Sequence, residues 1–222
     1  MSVQAEQSKI KICGIKEEAT LIGMAGLSVD YIGFMFAEKS RRRVSPAQAG
    51  QLHELSRSIK MADGLPPRTV GVFVNPTMEL IAETLQAVPL DVVQLHGEES
   101  PDFCRQVGDR FGIEIWRALA VTEDPGPERL QAFAGAVTTI LLDTAGGGTG
   151  VAFGWDVIPA YQVEAAKHGL KLMIAGGLNP DNAERLMASY RPYGVDVSSG
   201  VETDGVKDNA KISAFAERVK RS

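Results

Sequence analysis

Cysteine is scarce in this chain: Cys13 and Cys104 are the only two in 222 residues, too few for a disulfide framework. Only three histidines occur, and no group of His, Cys and Asp has metal-ligand spacing, so no metal is expected. Apolar runs stop short of the roughly 18–20 residues that a membrane span needs. Basic charge does not dominate either. The 23 Lys and Arg are outnumbered by 28 Asp and Glu, and the net charge of −5 removes any general attraction to nucleic acid or an anionic membrane. The densest basic run, Lys39-Ser-Arg-Arg-Arg43, is too short to be a nucleic-acid arm, and Met1–Ser8 lacks the apolar centre of a secretory signal. Nucleotide fingerprints are missing as well. Cys13-Gly-Ile-Lys16 has no G-x-G-x-x-G, and the glycines at 146–150 match neither that pattern nor a P-loop. A reduced, cytoplasmic protein remains, a monomer or a homodimer.

What is present is a regular alternation. Hydrophobic residues make up 44% and charged residues 23%, a balance that suits one globular domain over 1–222, with 1–8 as a polar tail. Short apolar runs predict strands at Lys9–Cys13, Asp30–Phe36, Thr69–Val74, Asp91–Leu95, Ile113–Leu119, Val137–Leu142, Leu170–Ala175 and Gly194–Val197. Between them, helical spacing predicts helices over 16–27, from Pro46 through Ile59, and over 77–87, 100–110, 126–134, 155–167, 180–190 and 208–219. Gly23 and Gly26 weaken the first, and Pro159 should end or kink the first turn of the sixth. Strands apolar on both faces suit a parallel sheet covered by helices, and eight βα units in this length suit a single (β/α)8 TIM barrel. A doubly wound open sheet is the rival; it usually has fewer strands and a nucleotide loop after the first.

In a closed barrel the carboxyl ends of the strands share one face, where barrel active sites lie. That face would collect Cys13, the run 39–43, Asn75, Gln94, His96, Arg117, Asp143, Gly176-Gly177 and Ser198-Ser-Gly200. Glycine and serine turns after strands seven and eight form the usual phosphate site of such barrels. Asp143 fits either the start of a turn or an acid at the mouth. Cys13 fits either packing or a thiolate acting as nucleophile or base. His96 could line the site or brace a loop. Cys104 reads as packing, and His53 and His168 read as surface residues of helices.

Six stretches together resemble a known family. Lys11-Ile-Cys-Gly-Ile15, Gln94-Leu-His-Gly-Glu98, Leu141-Leu-Asp-Thr144, Gly147-Gly-Thr-Gly150, Ala175-Gly-Gly-Leu178 and Val195-Asp-Val-Ser-Ser-Gly-Val-Glu202 are similar, in order, to phosphoribosylanthranilate isomerase, the (β/α)8 enzyme of tryptophan biosynthesis. The resemblance implies a cofactor-independent Amadori rearrangement of a small-molecule phosphosugar substrate, with Asp143 as general acid and Cys13 as general base. It implies that Arg42, in Ser40-Arg-Arg42, holds the anthranilate carboxylate, with Arg41 and Arg43 leaving the register open by one. Backbone of Gly177, Ser199 and Gly200 would hold phosphate, with the loop carrying Gly147 and Gly148 folding over it; His96 and Asp196 complete the mouth. The chain departs from many relatives after Gly150, where Val151 stands in place of lysine and Gly154 in place of aspartate before Trp155.

Related readings remain at this stage. A two-aspartate aminoaldose isomerase of histidine synthesis would put aspartate at position 13. An indole-glycerol-phosphate synthase needs a catalytic strand lysine, whereas Lys9 and Lys11 precede the strand end. A non-catalytic phosphate-binding barrel would have little reason to keep Cys13 and Asp143 together.

Overall fold

In a computed structural model, which describes residues 7–121, 126–144 and 153–221, the chain forms a closed barrel of parallel strands in sequential order. The strands are β1 (Lys9–Cys13), β2 (Tyr31–Met35), β3 (Arg68–Phe73), β4 (Val92–Leu95), β5 (Glu114–Ala120), β6 (Thr139–Asp143), β7 (Lys171–Ile174) and β8 (Gly194–Val197). Pairing of β1 with β8 closes the ring, which excludes the open sheet. A small antiparallel hairpin, β9 (Glu202–Thr203) with β10 (Val206–Lys207), follows β8 and was not anticipated.

Helices α1 (Glu18–Gly23), α2 (Pro46–Ser58), α3 (Met78–Ala87), α4 (Pro101–Phe111), α5 (Ile158–Lys167), α6 (Pro180–Tyr190) and α7 (Asn209–Lys220) connect the strands. Their starts are written locally. Ser45, Thr77, Ser100, Asn179 and Asp208 each accept a backbone N–H of the following turn, and Pro46, Pro101 and Pro180 occupy opening positions where no donor is needed.

Two helices differ from expectation. The one over 16–27 contracts to six residues, with no side-chain cap at Glu17 and glycines at 23 and 26. The expected helix at 126–134 is a 3-10 helix, Pro127–Phe133, so among the described residues the barrel carries seven α-helices and this substitute. A 3-10 helix rises about 2 Å per residue against about 1.5 Å in an α-helix, so seven residues span more of the strand-to-strand distance. Pro159 does not break its helix: a 3-10 turn, Trp155–Val157, leads in, and the proline falls at the start of α5.

Strand alternation divides the core. Ile10, Ile12, Phe34, Leu95 and Leu142 face outward into the layer under the helices. Cys13, Tyr31, Val70, Val72, Val92, Trp116, Ala118, Leu141, Met173 and Ala175 fill the barrel itself. Trp116 is the plug: fully buried, it meets Tyr31 edge-on at 4.8 Å between centroids and donates Nε1–H to Glu114 Oε1 at 2.8 Å.

That alternation corrects one mouth residue. Since Trp116 points in, Arg117 points out, where its guanidinium bonds the carbonyls of Leu95 and Gly97 and lies 3.4 Å from Glu99. Arg117 therefore braces the β4–α4 loop and does not face the site. Asn75 supports the same loop, donating its N–H to Glu99 and accepting from Glu98 N. His53 is also corrected: it is 5% exposed, on the inward face of α2 with Ala49, Leu52 and Ser56. His168 is half-buried, 3.0 Å from Glu164, while Cys104 is buried in the core as expected.

Candidate active site

Cys13 and Asp143 end β1 and β6, with β7 and β8 between them in the ring. Both are buried, Cys13 to 5% exposure and Asp143 to 7%, at the carboxyl ends of their strands. The parallel register places Cys13 beside Gly33. A Cβ there would lie 3.0 Å from Cys13 Sγ and 3.3 Å from Lys11 Cε, so the missing side chain leaves thiol and lysine against one another.

Asp143 is held from two sides. Thr144 N–H donates to Oδ1 at 2.7 Å, and His96 Nε2 lies 3.2 Å from Oδ2. Gln94 Nε2 donates to His96 Nδ1 at 3.2 Å, so in this arrangement the ring hydrogen sits on Nε2 and points at Asp143. His96 thus meets Asp143 at the mouth, where its position had suggested either a residue lining the site or the brace of a loop.

A cleft built on glycine and serine turns lies beside Asp143. About 50 Å³ in volume, it is lined by Asp143, Gly176, Gly177, Asp196, Ser198 and Ser199. Gly176 and Gly177 take φ of 78° and 65°, which turns the chain away from β7 at little steric cost. Among the described residues, the N–H groups of Gly177, Ser199 and Gly200 donate to no protein acceptor. A Cβ at Gly200 would collide with the Leu178 carbonyl and lie 2.9 Å from Asn179 Cβ, so glycine lets the β8 turn close onto the β7 turn. Gly147 and Gly148 lie outside the described residues.

Arg42 is the arginine of its run turned toward Cys13: its side chain is 12% exposed and packs over Gly14, whereas Arg41 is 61% exposed. Its guanidinium is clasped by Glu202, which also receives Lys207 Nζ at 2.8 Å. Lys207 reaches Ser198 O as well, and Ser198 Oγ donates to Cys13 O at 3.0 Å, tying the hairpin to the end of β1.

Two features were not read from the sequence. Lys11 is fully buried inside the barrel with Nζ 3.0 Å from Asp196 Oδ2. The signal was available: in a strand, residues two apart share a face, so an inward Cys13 implies an inward Lys11. Glu202 had no such signal, because its partner Arg42 lies 160 positions away. No group of three or more His, Cys, Asp and Glu suited to a metal ion occurs among the described residues, and no helix among them is long and apolar enough to cross a membrane.

Comparison with known proteins agrees with the barrel fold. Residues 10–218 match the family model described as N-(5'phosphoribosyl)anthranilate (PRA) isomerase. An N-(5'-phosphoribosyl)anthranilate isomerase of Brevibacillus brevis is 48% identical over 218 residues, covering 96% of this chain and 94% of the relative. One from Geobacillus thermodenitrificans is 39% identical, covering 96% of this chain and 94% of the relative. The crystal structure of the Thermotoga maritima enzyme superposes with a TM-score of 0.84 at 33% identity, covering 97% of this chain and all of that one. A phosphoribosyl anthranilate isomerase crystallised with reduced 1-(o-carboxyphenylamino)-1-deoxyribulose 5-phosphate gives a TM-score of 0.82 at 33% identity, covering 97% and 100%. With a family match over nearly its whole length, the chain belongs to the N-(5'-phosphoribosyl)anthranilate isomerase family.

Proposed function

We propose that Cys13 and Asp143 divide the family's reaction between them in this chain. The reaction is the Amadori rearrangement of N-(5'-phosphoribosyl)anthranilate to 1-(2-carboxyphenylamino)-1-deoxyribulose 5-phosphate, in tryptophan biosynthesis. What carries the assignment is the cleft itself: Asp143 and the N–H groups of the β7 and β8 turns, unpaired among the described residues, border one opening, with Cys13 across the barrel.

Phosphate anchors on the N–H groups of Gly177, Ser199 and Gly200. Asp143, oriented by His96, gives a proton to the ring oxygen; the C1'–O bond breaks and the anilino nitrogen becomes an iminium. Cys13 as thiolate takes the C2' proton, and the C–H electron pair forms the C1'–C2' double bond of an enolamine, discharging the iminium. A proton added at C1' and one lost from the C2' hydroxyl give the ketone, so no atoms are gained or lost overall. Arg42, presented by Glu202, holds the anthranilate carboxylate with its planar fork. Burial pushes the Cys13 thiol up, which makes cationic neighbours a requirement.

Every side chain in this scheme comes from one chain, so a monomer contains the whole site, whether or not a homodimer forms. Both cysteines are free thiols, as a reducing cytoplasm would keep them. The test follows anthranilate fluorescence as fresh substrate is consumed by wild type, Cys13→Ser and Asp143→Asn. Both variants should lose turnover while still binding the reduced product analogue; turnover surviving in both would overturn the acid–base pair. A wild type that binds the analogue without turnover would instead favour a binding barrel.

A further inference from the structure

We infer that Lys11 is a positioning residue for the base: its ammonium, fixed inside the barrel by Asp196, is the built-in counter-charge of the Cys13 thiolate. The inference rests on Cys13 being that base.

A lysine with no exposed surface is costly, since a buried ammonium must be paired. Lys11 sits on the same face of β1 as Cys13, two residues below it, and the β1–β8 register sets it beside Asp196. Lys11 Nζ reaches Asp196 Oδ2 at 3.0 Å, while Asp196 Oδ1 is buried with no partner among the described residues, and Asp196 lines the same cleft as Asp143. Lys11 Cε and Cys13 Sγ both lie against the bare Cα of Gly33. A plain structural ion pair could sit anywhere in the barrel; this one is stacked directly under the thiol.

Among the described residues, charges on several elements act on Cys13. Lys11 from β1, Lys207 from β10 and Arg42 from the loop after β2 are cationic, and Asp196 from β8 is anionic. Arg42 and Lys207 are held on Glu202 at the rim, whereas Lys11 lies fully buried inside the barrel, against the sulfur at Gly33, and is paired with Asp196. Burial by itself would lower the Lys11 ammonium, yet Asp196 and then Cys13 hold it above its ordinary value, so it stays charged. The substrate iminium adds a second, transient positive charge on the other side of the sulfur. Lys11 thus supplies the permanent share, and proton removal from C2' waits for the transient one.

The experiment compares the rate of Cys13 alkylation by iodoacetamide at one fixed pH, in a Cys104→Ala background, with turnover of the same proteins. The variants are Lys11→Met and the double variant Lys11→Met/Asp196→Asn, which removes both charges and leaves no orphan ion to unfold the barrel. Alkylation should slow about 10- to 1000-fold in Lys11→Met, as expected when an opposite charge is removed from beside a titrating group, and in the same direction but less in the double variant. In Lys11→Met the value of kcat should fall with it while KM is largely kept. Equal alkylation rates in wild type and the folded double variant would overturn the role of Lys11 and leave Cys13 as base untouched. Turnover by Cys13→Ser would overturn the base assignment instead, without changing the alkylation comparison.

Discussion

Arg42 meets Glu202 in two parallel bonds, Nε to Oε1 at 2.6 Å and Nη2 to Oε2 at 2.9 Å, joining the β2–α2 loop to the strand that follows β8. The same carboxylate takes Arg41 and Lys207, so one acid holds three cations at the rim. Glu202→Gln keeps the shape and removes the charge. Its expected effect is a rise in KM of about tenfold, since an arginine released from its fork no longer waits in place for a carboxylate. Steady-state kinetics check this, and an unchanged KM would show that Arg42 needs no such presentation.

Glu202 also carries a pH signature. Burial would raise its carboxyl, but hydrogen bonds from Arg42 and Lys207 outweigh that and hold it at about 2, below the ordinary 4.5. A depressed folded value stabilises at high pH: the contribution is full above about 4.5 and is lost as pH falls toward 2. With screening at the rim allowed for, the share is ~1–2 kcal/mol. Urea unfolding of wild type and Glu202→Gln should therefore converge between pH 4.5 and 2. Parallel curves across that window would contradict the linkage.

His96→Ala leaves Asp143 without its ring donor while the thiol end of the site is untouched. A loosened acid should lower kcat by up to about 100-fold with a smaller change in KM. Gln94→Leu, which removes the bond to Nδ1, should move kcat in the same direction but less. A pure KM effect in both would make His96 a substrate contact and not a brace.

Gly200→Ala forces a methyl against the Leu178 carbonyl and parts the two turns of the cradle. Hydrogen bonds to a charged group contribute about 1.5–3 kcal/mol each, so affinity for the reduced product analogue should drop about tenfold or more. Titration calorimetry reads the loss directly. Unchanged affinity would place the phosphate elsewhere.

Trp116→Ala removes the plug of the barrel and one donor of Glu114. The expected destabilisation is about 3–5 kcal/mol by chemical denaturation, with turnover per folded molecule nearly kept, because the β5–β6 register sets Trp116 beside Thr139, four residues below Asp143. Loss of turnover without loss of stability would mean the ring reaches the site.

Much of this was legible along the chain. The strands show as β-branched and apolar runs, and the helix starts carry their own caps at Ser45, Ser100 and Asn179. The glycines at 176 and 177 mark the turn their positive φ requires. Cys13, Asp143 and Gly177 could be gathered on one face because a barrel brings every strand end to the same side. Arg117 was misplaced because a shift of one residue along a strand reverses the face, and only the burial of Trp116 fixes which. His53 was misplaced because helical spacing marks a stripe but not how wide a stripe the neighbouring elements cover.

The sequence by itself determined the eight strands, most of the helices and the residue types at the mouth, since these follow from backbone propensity and side-chain period. Tertiary structure alone decided the pairings. Glu202 finds Arg42 across 160 positions and Lys11 finds Asp196 across 185, and no local pattern announces either. Ring closure sets β8 against β1, and burial then makes each unpaired charge costly enough to require its partner.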